Sequence, residues 1–151
     1  MSVENVRKAI ADDFSRIAEI EIFNYRLNFY PIFRNDSYYF RELNVYAKTE
    51  EYMKNPEIAE NICVYDDGTV KGFIWTECDE VKKLFVEPVL QGNSIGSQLL
   101  EYAVERFSVN FLWALEKNKR ALNFYRRHGF YPTGEKKYEE DTEEYLLKLM
   151  R

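Results

Sequence analysis

The sequence predicts a mixed α/β sandwich, a single sheet with helices on both faces. Three observations predict it. Apolar residues change period repeatedly along the 151 residues, giving strand-like and helix-like stretches in the order β-α-α-β-β-β-α-β-α-β-β. Asp66-Asp67-Gly68 is a hairpin signal between two apolar runs, its glycine free to take a positive φ. The run Val109–Leu115 puts Val109, Phe111, Trp113 and Leu115 on one face and Leu112 and Ala114 on the other, and a strand apolar on both faces requires cover on both. At this length one domain over residues 1–151 is expected, since a second core would leave each half near the lower size limit.

Each element has a local reason. Asn5–Ala9 reads as a short strand that ends at Asp12-Asp13, a helix start signal. The helix that follows carries Phe14, Ile17, Ile20 and Leu27 as its buried stripe and runs to Asn28-Phe29-Tyr30-Pro31, where Pro31 restricts it. Asn35–Phe40 is aromatic and irregular, and a second helix extends to Lys54, closed by Asn55-Pro56. Ile62–Tyr65 and Thr69–Glu77 form the hairpin, in which a two-residue turn at Asp67-Gly68 sets Cys63 opposite Gly72 and away from Cys78. Glu80–Val86 is a strand ended by Pro88. Gly96–Phe107 is a helix with Leu99, Ala103 and Phe107 at intervals of four. After Val109–Leu115, the helix Lys119–Arg127 stops at Gly129. Tyr131–Met150 reads as two strands around the acidic turn Glu139–Glu144.

Composition removes several classes of function. Hydrophobic residues make up 46% and charged residues 31%, a globular balance. Lys plus Arg total 21 against 26 Asp plus Glu, a formal charge of -5. A surface of that sign disfavours nucleic acid and anionic lipid, both of which are held through basic residues. No run approaches the roughly 18 apolar residues of a membrane span, and no signal-peptide core is evident, so a cytoplasmic location is the expectation. Cys63 and Cys78 make neither a disulfide framework nor a zinc site, and His128 is the only histidine, so no metal is expected.

Two constellations carry chemistry. Leu84-Phe85-Val86 leads through Gln91-Gly92-Asn93-Ser94-Ile95-Gly96 into a helix. Small residues there let backbone N–H groups point into a concavity, and the helix start adds positive potential, a cradle for a diphosphate. It lacks the Gly-Lys-Ser/Thr of a Walker loop and the Gly-x-Gly-x-x-Gly of a dinucleotide fold, and an ordinary strand-to-helix turn explains it equally well. The second is Asn118, Ala121, Phe124-Tyr125 and Gly129-Phe130. With this spacing the chain resembles the GNAT superfamily of acyl-CoA N-acyltransferases. Its loop resembles the family's Gln/Arg-x-x-Gly-x-Gly/Ala motif at Gln91, Ile95 and Gly96, and Val6–Ala9 with Asp13 and Ile17 look like the family's first strand and helix. The resemblance covers nearly the whole chain. One departure is Ser94 where the family carries its first glycine; a positive φ there costs a non-glycine residue roughly 1–2 kcal/mol.

The resemblance implies a GNAT fold, a mostly antiparallel sheet of six to seven strands splayed between the fourth (Glu80–Val86) and the fifth (Val109–Leu115). Acetyl-CoA is the implied cosubstrate. Leu84, Phe85 and Val86 would hold its pantetheine, Gln91, Gly92, Asn93, Ser94, Ile95 and Gly96 its diphosphate, and Asn118 its arm. Asn118 also suits a helix N-cap. Tyr125 looks like the family's general acid for the departing thiolate, and a backbone N–H at or beside Val86 like the oxyanion donor. Glu80 occupies the place of a family base glutamate, with Glu77, Asp79, Glu87 or an ordered water as alternatives. By the same resemblance Tyr25, Phe29, Tyr30, Phe33, Tyr38, Tyr39 and Phe40, with Glu139–Glu144, would form the acceptor pocket, aromatic faces and carboxylates suited to a cationic amine; core packing beside a solvated hairpin explains them equally well. Basic Lys117, Lys119, Arg120, Arg126 and Arg127 gather beside the cofactor site.

The reading is an acetyl-CoA-dependent N-acetyltransferase of a primary amine, with a small-molecule acceptor. Its alternatives are a peptide N-terminus or protein lysine as acceptor, or a non-catalytic acyl-CoA-binding domain. Nothing in the sequence sets the oligomeric state; a homodimer is compatible with it.

Overall fold

The computed structural model describes residues 5–151. Seven strands form one sheet: β1 Val6–Lys8, β2 Ile62–Asp66, β3 Val70–Glu77, β4 Glu80–Val86, β5 Phe111–Leu115, β6 Tyr131–Tyr138 and β7 Tyr145–Met150, in the order β1-β2-β3-β4-β5-β7-β6. Every neighbouring pair is antiparallel except β4–β5. The helices are α1 Phe14–Asn28, α2 Tyr30–Phe33, α3 Val45–Lys54, α4 Pro56–Ala59, α5 Ile95–Phe107 and α6 Lys119–Arg127. Helices cover both faces. Phe14, Ile17 and Ile20 of α1 pack with Tyr52 of α3 on Ile62, Val64 and Phe73. On the other face Leu99, Leu100 and Ala103 of α5 meet Ile74, Val81, Leu112, Tyr125 and Phe130.

The parallel pair is where the sheet opens. β4 and β5 are in register only at Glu80↔Phe111 and Val81↔Leu112. On its other edge β4 pairs Lys83 with Trp75 but Val81 with Thr76, so Lys82 is an extra residue in the ladder. A bulge bends and twists its strand, and beyond it β4 turns away from β5. The two strands diverge toward Val86 and Leu115.

Several sequence expectations need correction. Asp66 Oδ1 accepts from the Gly68 N–H at 2.9 Å, and the turn spans Asp67 to Thr69, with Asp66 opposite Val70. A bulge at Lys71 then sets Cys63 opposite Ile74, and it is Tyr65 that faces Gly72. Cys63 is buried, Cys78 exposed, and both are free thiols. Pro31 does not end helical structure: it sits in the first turn of α2, where its missing N–H would have no helical acceptor. The irregular aromatic stretch holds a π-helical turn, Tyr38–Glu42. Leu27 is half exposed rather than part of the buried stripe, and Phe107 is likewise exposed. The buried face of α1 continues instead through Glu21 and Asn24.

Candidate active site

A single cleft of about 780 Å³ fills the splay. Leu84, Phe85 and Val86 of β4 line one wall, with Trp113 and Ala114 of β5 opposite. The floor at one end is Gln91, Gly92, Ser94, Ile95 and Gly96; Asn118, Phe124 and Tyr125 close the side. These residues are brought together from four segments of the chain. Asn93 and Glu80 do not line the cleft. Asn93 is exposed, its amide donating to the Leu90 carbonyl at 3.0 Å. Glu80 stands where β4 and β5 still pair, 3.6 Å from the Lys82 ammonium.

The ladder decides which backbone groups face the cleft. The Glu87 N–H donates to the Lys71 carbonyl at 2.9 Å, so the polar backbone groups of Phe85 turn to β3 while those of Leu84 and Val86 turn to the splay. Phe85 therefore contributes its ring rather than its amide. The Val86 carbonyl accepts from Asn24 Nδ2 at 2.8 Å. Gln91 Nε2 donates to Asn24 Oδ1 at 3.0 Å, which turns its side chain inward as a brace between loop and α1. Ser94 has φ +63, the left-handed conformation expected at the family glycine, and its hydroxyl accepts from Gln98 at 3.3 Å. Gly96 is a close approach: a Cβ would lie 3.4 Å from the Phe124 ring and 3.6 Å from Val86. Asn118 caps α6, Oδ1 accepting from the Ala121 N–H at 3.2 Å, and it still lines the cleft.

Tyr125 is buried between Phe124 and Phe130, with ring centroids 5.2 and 6.1 Å away. Burial pushes its phenol well above the ordinary tyrosine range, so the O–H stays protonated at neutral pH. Such a group can give a proton to a stronger base formed beside it.

The other end of the cleft is built by α1 and the last hairpin, through Asn24, Tyr25, Asn28, Phe29 and Glu139. Tyr30, Phe33 and Tyr39 pack instead in a separate small cluster with Ile22 and Leu43. Lys83, unforeseen from the sequence, lines the cleft and donates to Glu21 Oε2 at 2.5 Å. Its ammonium lies 5.5 Å from the ring centroids of both Tyr25 and Trp75. Glu21 is fully buried, bonded also to the Tyr52 hydroxyl and 3.7 Å from the Lys48 ammonium. Burial alone would raise its carboxyl, but Lys83 and Lys48 outweigh it and hold it below the ordinary value. Of the basic residues, Arg120 and Arg127 line the cleft, while Lys117 pairs with Glu144 at 2.8 Å. The signal available for Glu21 and Asn24 was a polar residue on the apolar stripe of an amphipathic helix.

The family model described as an acetyltransferase (GNAT) domain matches residues 58–132, which hold the splayed strands, the loop and all of α6. The chain belongs to the GNAT acetyltransferase family. It is 29% identical over 107 residues to the peptidyl-lysine N-acetyltransferase YjaB of Salmonella typhimurium, a match spanning 69% of this chain and 74% of that protein. It is 31% identical over 83 residues to the peptidyl-lysine N-acetyltransferase YiaC of Escherichia coli, 54% of this chain and 55% of that protein. The fold is that of the PaiA N-acetyltransferase of Thermoplasma acidophilum in complex with coenzyme A, with TM-score 0.66, 17% identity and 97% and 98% of the two chains covered. As a GNAT enzyme the protein is an acetyl-CoA-dependent N-acyltransferase. Its cleft suits that cosubstrate: the splay offers the outward backbone of Leu84 and Val86 to an extended amide chain, and the tight Gly96–Phe124 contact leaves the helix start free of a side chain. Among the described residues no group of His, Cys, Asp and Glu side chains assembles as a metal site, and no helix is long and apolar enough to cross a membrane.

Proposed function

We propose that this GNAT enzyme transfers the acetyl group of acetyl-CoA to the side-chain amine of a peptide lysine, rather than to the small molecule first expected. The observation that carries this reading is the similarity to two relatives named as peptidyl-lysine N-acetyltransferases. The far end of the cleft agrees with it. Tyr25, Phe29, Phe85 and Trp113 offer flat apolar faces to a lysine stem, and Glu139 offers a carboxylate to its ammonium.

The step needs a neutral amine, a stabilised oxyanion and a protonated leaving group. The lysine nitrogen loses a proton to water in the cleft and forms the N–C bond. We assign this proton to water because Glu80 lies outside the lining and beside Lys82. The thioester oxygen gains charge and is met by the Val86 N–H on the splay side. The C–S bond breaks, the thiolate takes the Tyr125 proton, and the second proton leaving the new amide nitrogen passes through water to restore the phenol. Leu84, Gln91, Gly92, Ser94, Ile95, Gly96 and Asn118 are the residues we assign to holding the cosubstrate, and Asn93, outside the lining, is left out.

The test is thiol release from acetyl-CoA across lysine peptides, N-terminal peptides, polyamines and amino acids, repeated with Tyr125→Phe. Lysine peptides are expected to turn over fastest. Tyr125→Phe should keep fold and coenzyme A binding and lose about 10²–10⁴ in turnover. Faster acetylation of a small amine would overturn the acceptor, and near-normal turnover of Tyr125→Phe would overturn the acid.

A further inference from the structure

The diphosphate loop is backed by a residue outside both motifs. Ser97, in the first turn of α5, lines the cleft beside Ser94, Ile95 and Gly96. Its hydroxyl oxygen lies 2.9 Å from Nε2 of His128, the chain's only histidine. The imidazole rests against Phe124, centroids 4.8 Å apart, and Phe124 is also the wall that Gly96 touches. Behind it is a second cavity of about 350 Å³ whose lining includes Glu101, Arg127, His128 and Arg151. The pair Ser97–His128 thus stands between this polar cavity and the cosubstrate cleft.

We propose that His128 is a proton-linked positioning residue for the coenzyme A diphosphate: by donating Nε2–H to Ser97, it frees the serine O–H to donate to a phosphate oxygen. The inference rests on the reading that the loop Gln91–Gly96 holds the diphosphate. A hydroxyl has one proton. If Ser97 spends it on an unprotonated Nε2, only oxygen lone pairs face the cleft, and they repel a phosphate. If Nε2 carries the proton, Ser97 accepts there and donates forward. Two states of the ring supply that proton, the Nε2–H tautomer and the imidazolium, and a bound anion favours the imidazolium.

Without the diphosphate the imidazolium is disfavoured. Burial lowers the His128 pKa from its ordinary value, Glu101 on α5 works against this, and Arg127 and Arg151 add to it. A phosphate anion at Ser97 opposes burial and both arginines. The bound-state pKa therefore lies above the free-state pKa, and binding takes up protons between the two. Affinity is highest below the free-state value and declines as pH rises through the bound-state value.

A single histidine makes the experiment direct. In protein free of any affinity tag, the imidazole Cε1–H resonance is titrated by proton NMR, alone and saturated with 3′-dephospho-coenzyme A, whose diphosphate does not itself titrate near neutral pH. Saturation should move the His128 titration upward by about one pH unit, equivalent to about a tenfold affinity change between the two plateaus. Ser97→Ala should lose most of that movement, and His128→Gln should bind with a flat pH profile. A ligand that raises the melting temperature yet leaves His128 unmoved, or lowers it, overturns the proposal alone. Full movement in Ser97→Ala overturns the serine link. Failure of coenzyme A to bind at all overturns the loop reading, and this proposal with it.

Discussion

Lys83→Met isolates the strongest electrostatic joint between α1 and β4. The substitution keeps a long apolar stem against Tyr25 and Trp75 and removes the ammonium 2.5 Å from Glu21 Oε2. Glu21 has no exposed surface, so its charge cannot turn to water. Removing one partner of a buried pair costs about 3–5 kcal/mol. Lys48 remains at 3.7 Å and Tyr52 still donates, and the Lys83 side chain is itself 21% exposed, which together reduce the expectation to about 2–3 kcal/mol. Urea unfolding at neutral pH should show the midpoint falling by about 1–2 M with an unchanged slope. The pH dependence has a definite sign. In the natural protein the Glu21 carboxyl is held below its ordinary value, so its contribution is fully present above the unfolded-state pKa and lost as pH falls through the folded one. Without Lys83, burial dominates and raises that pKa, so the variant gains stability relative to the natural protein as pH falls. The penalty should shrink toward pH 4, about the carboxylate range, and Glu21→Gln combined with Lys83→Met should recover part of it. A neutral-pH cost under about 0.5 kcal/mol, or a penalty that grows in acid, would refute the buried-pair argument.

Two further variants address the loop. Gly96→Glu places bulk where a Cβ already lies 3.4 Å from the Phe124 ring and adds negative charge at the start of α5; the rise in melting temperature that saturating coenzyme A should give the natural protein is expected to vanish, and a retained shift in folded variant would remove the diphosphate from this loop. Ser94→Gly relieves the φ of +63 and gives up only a 3.3 Å contact from Gln98; stability should rise by up to about 1 kcal/mol with coenzyme A bound as well or better, whereas binding weakened about tenfold would mean the hydroxyl itself holds a phosphate.

The two halves of the cleft differ in how far the sequence reveals them, and the reason is contact range. The cosubstrate half is built from contiguous residues: Gln91–Gly96 turns straight into α5, and Asn118 caps the helix that carries Tyr125 two turns later. Such features are local chemistry, and the residues that form them also display them. The acceptor half depends on contacts such as Glu21–Lys83, 62 positions apart, and Asn24–Gln91, 67 apart. Hydrophobic periodicity ranks apolar residues, so it placed Leu27 inside α1 and passed over Glu21 and Asn24, whose burial is licensed by partners on another element. The same limit bears on Glu80. Simple alternation back along β4 would set it on one face with Leu84 and Val86, but the extra residue at Lys82 puts Val81 on that face instead. That bulge also ends the β4–β5 pairing and opens the cleft. A single unpaired residue thus opens the site and turns Glu80 to the other face of β4, which is why local spacing offers Tyr125 as a candidate acid but does not single out a proton acceptor.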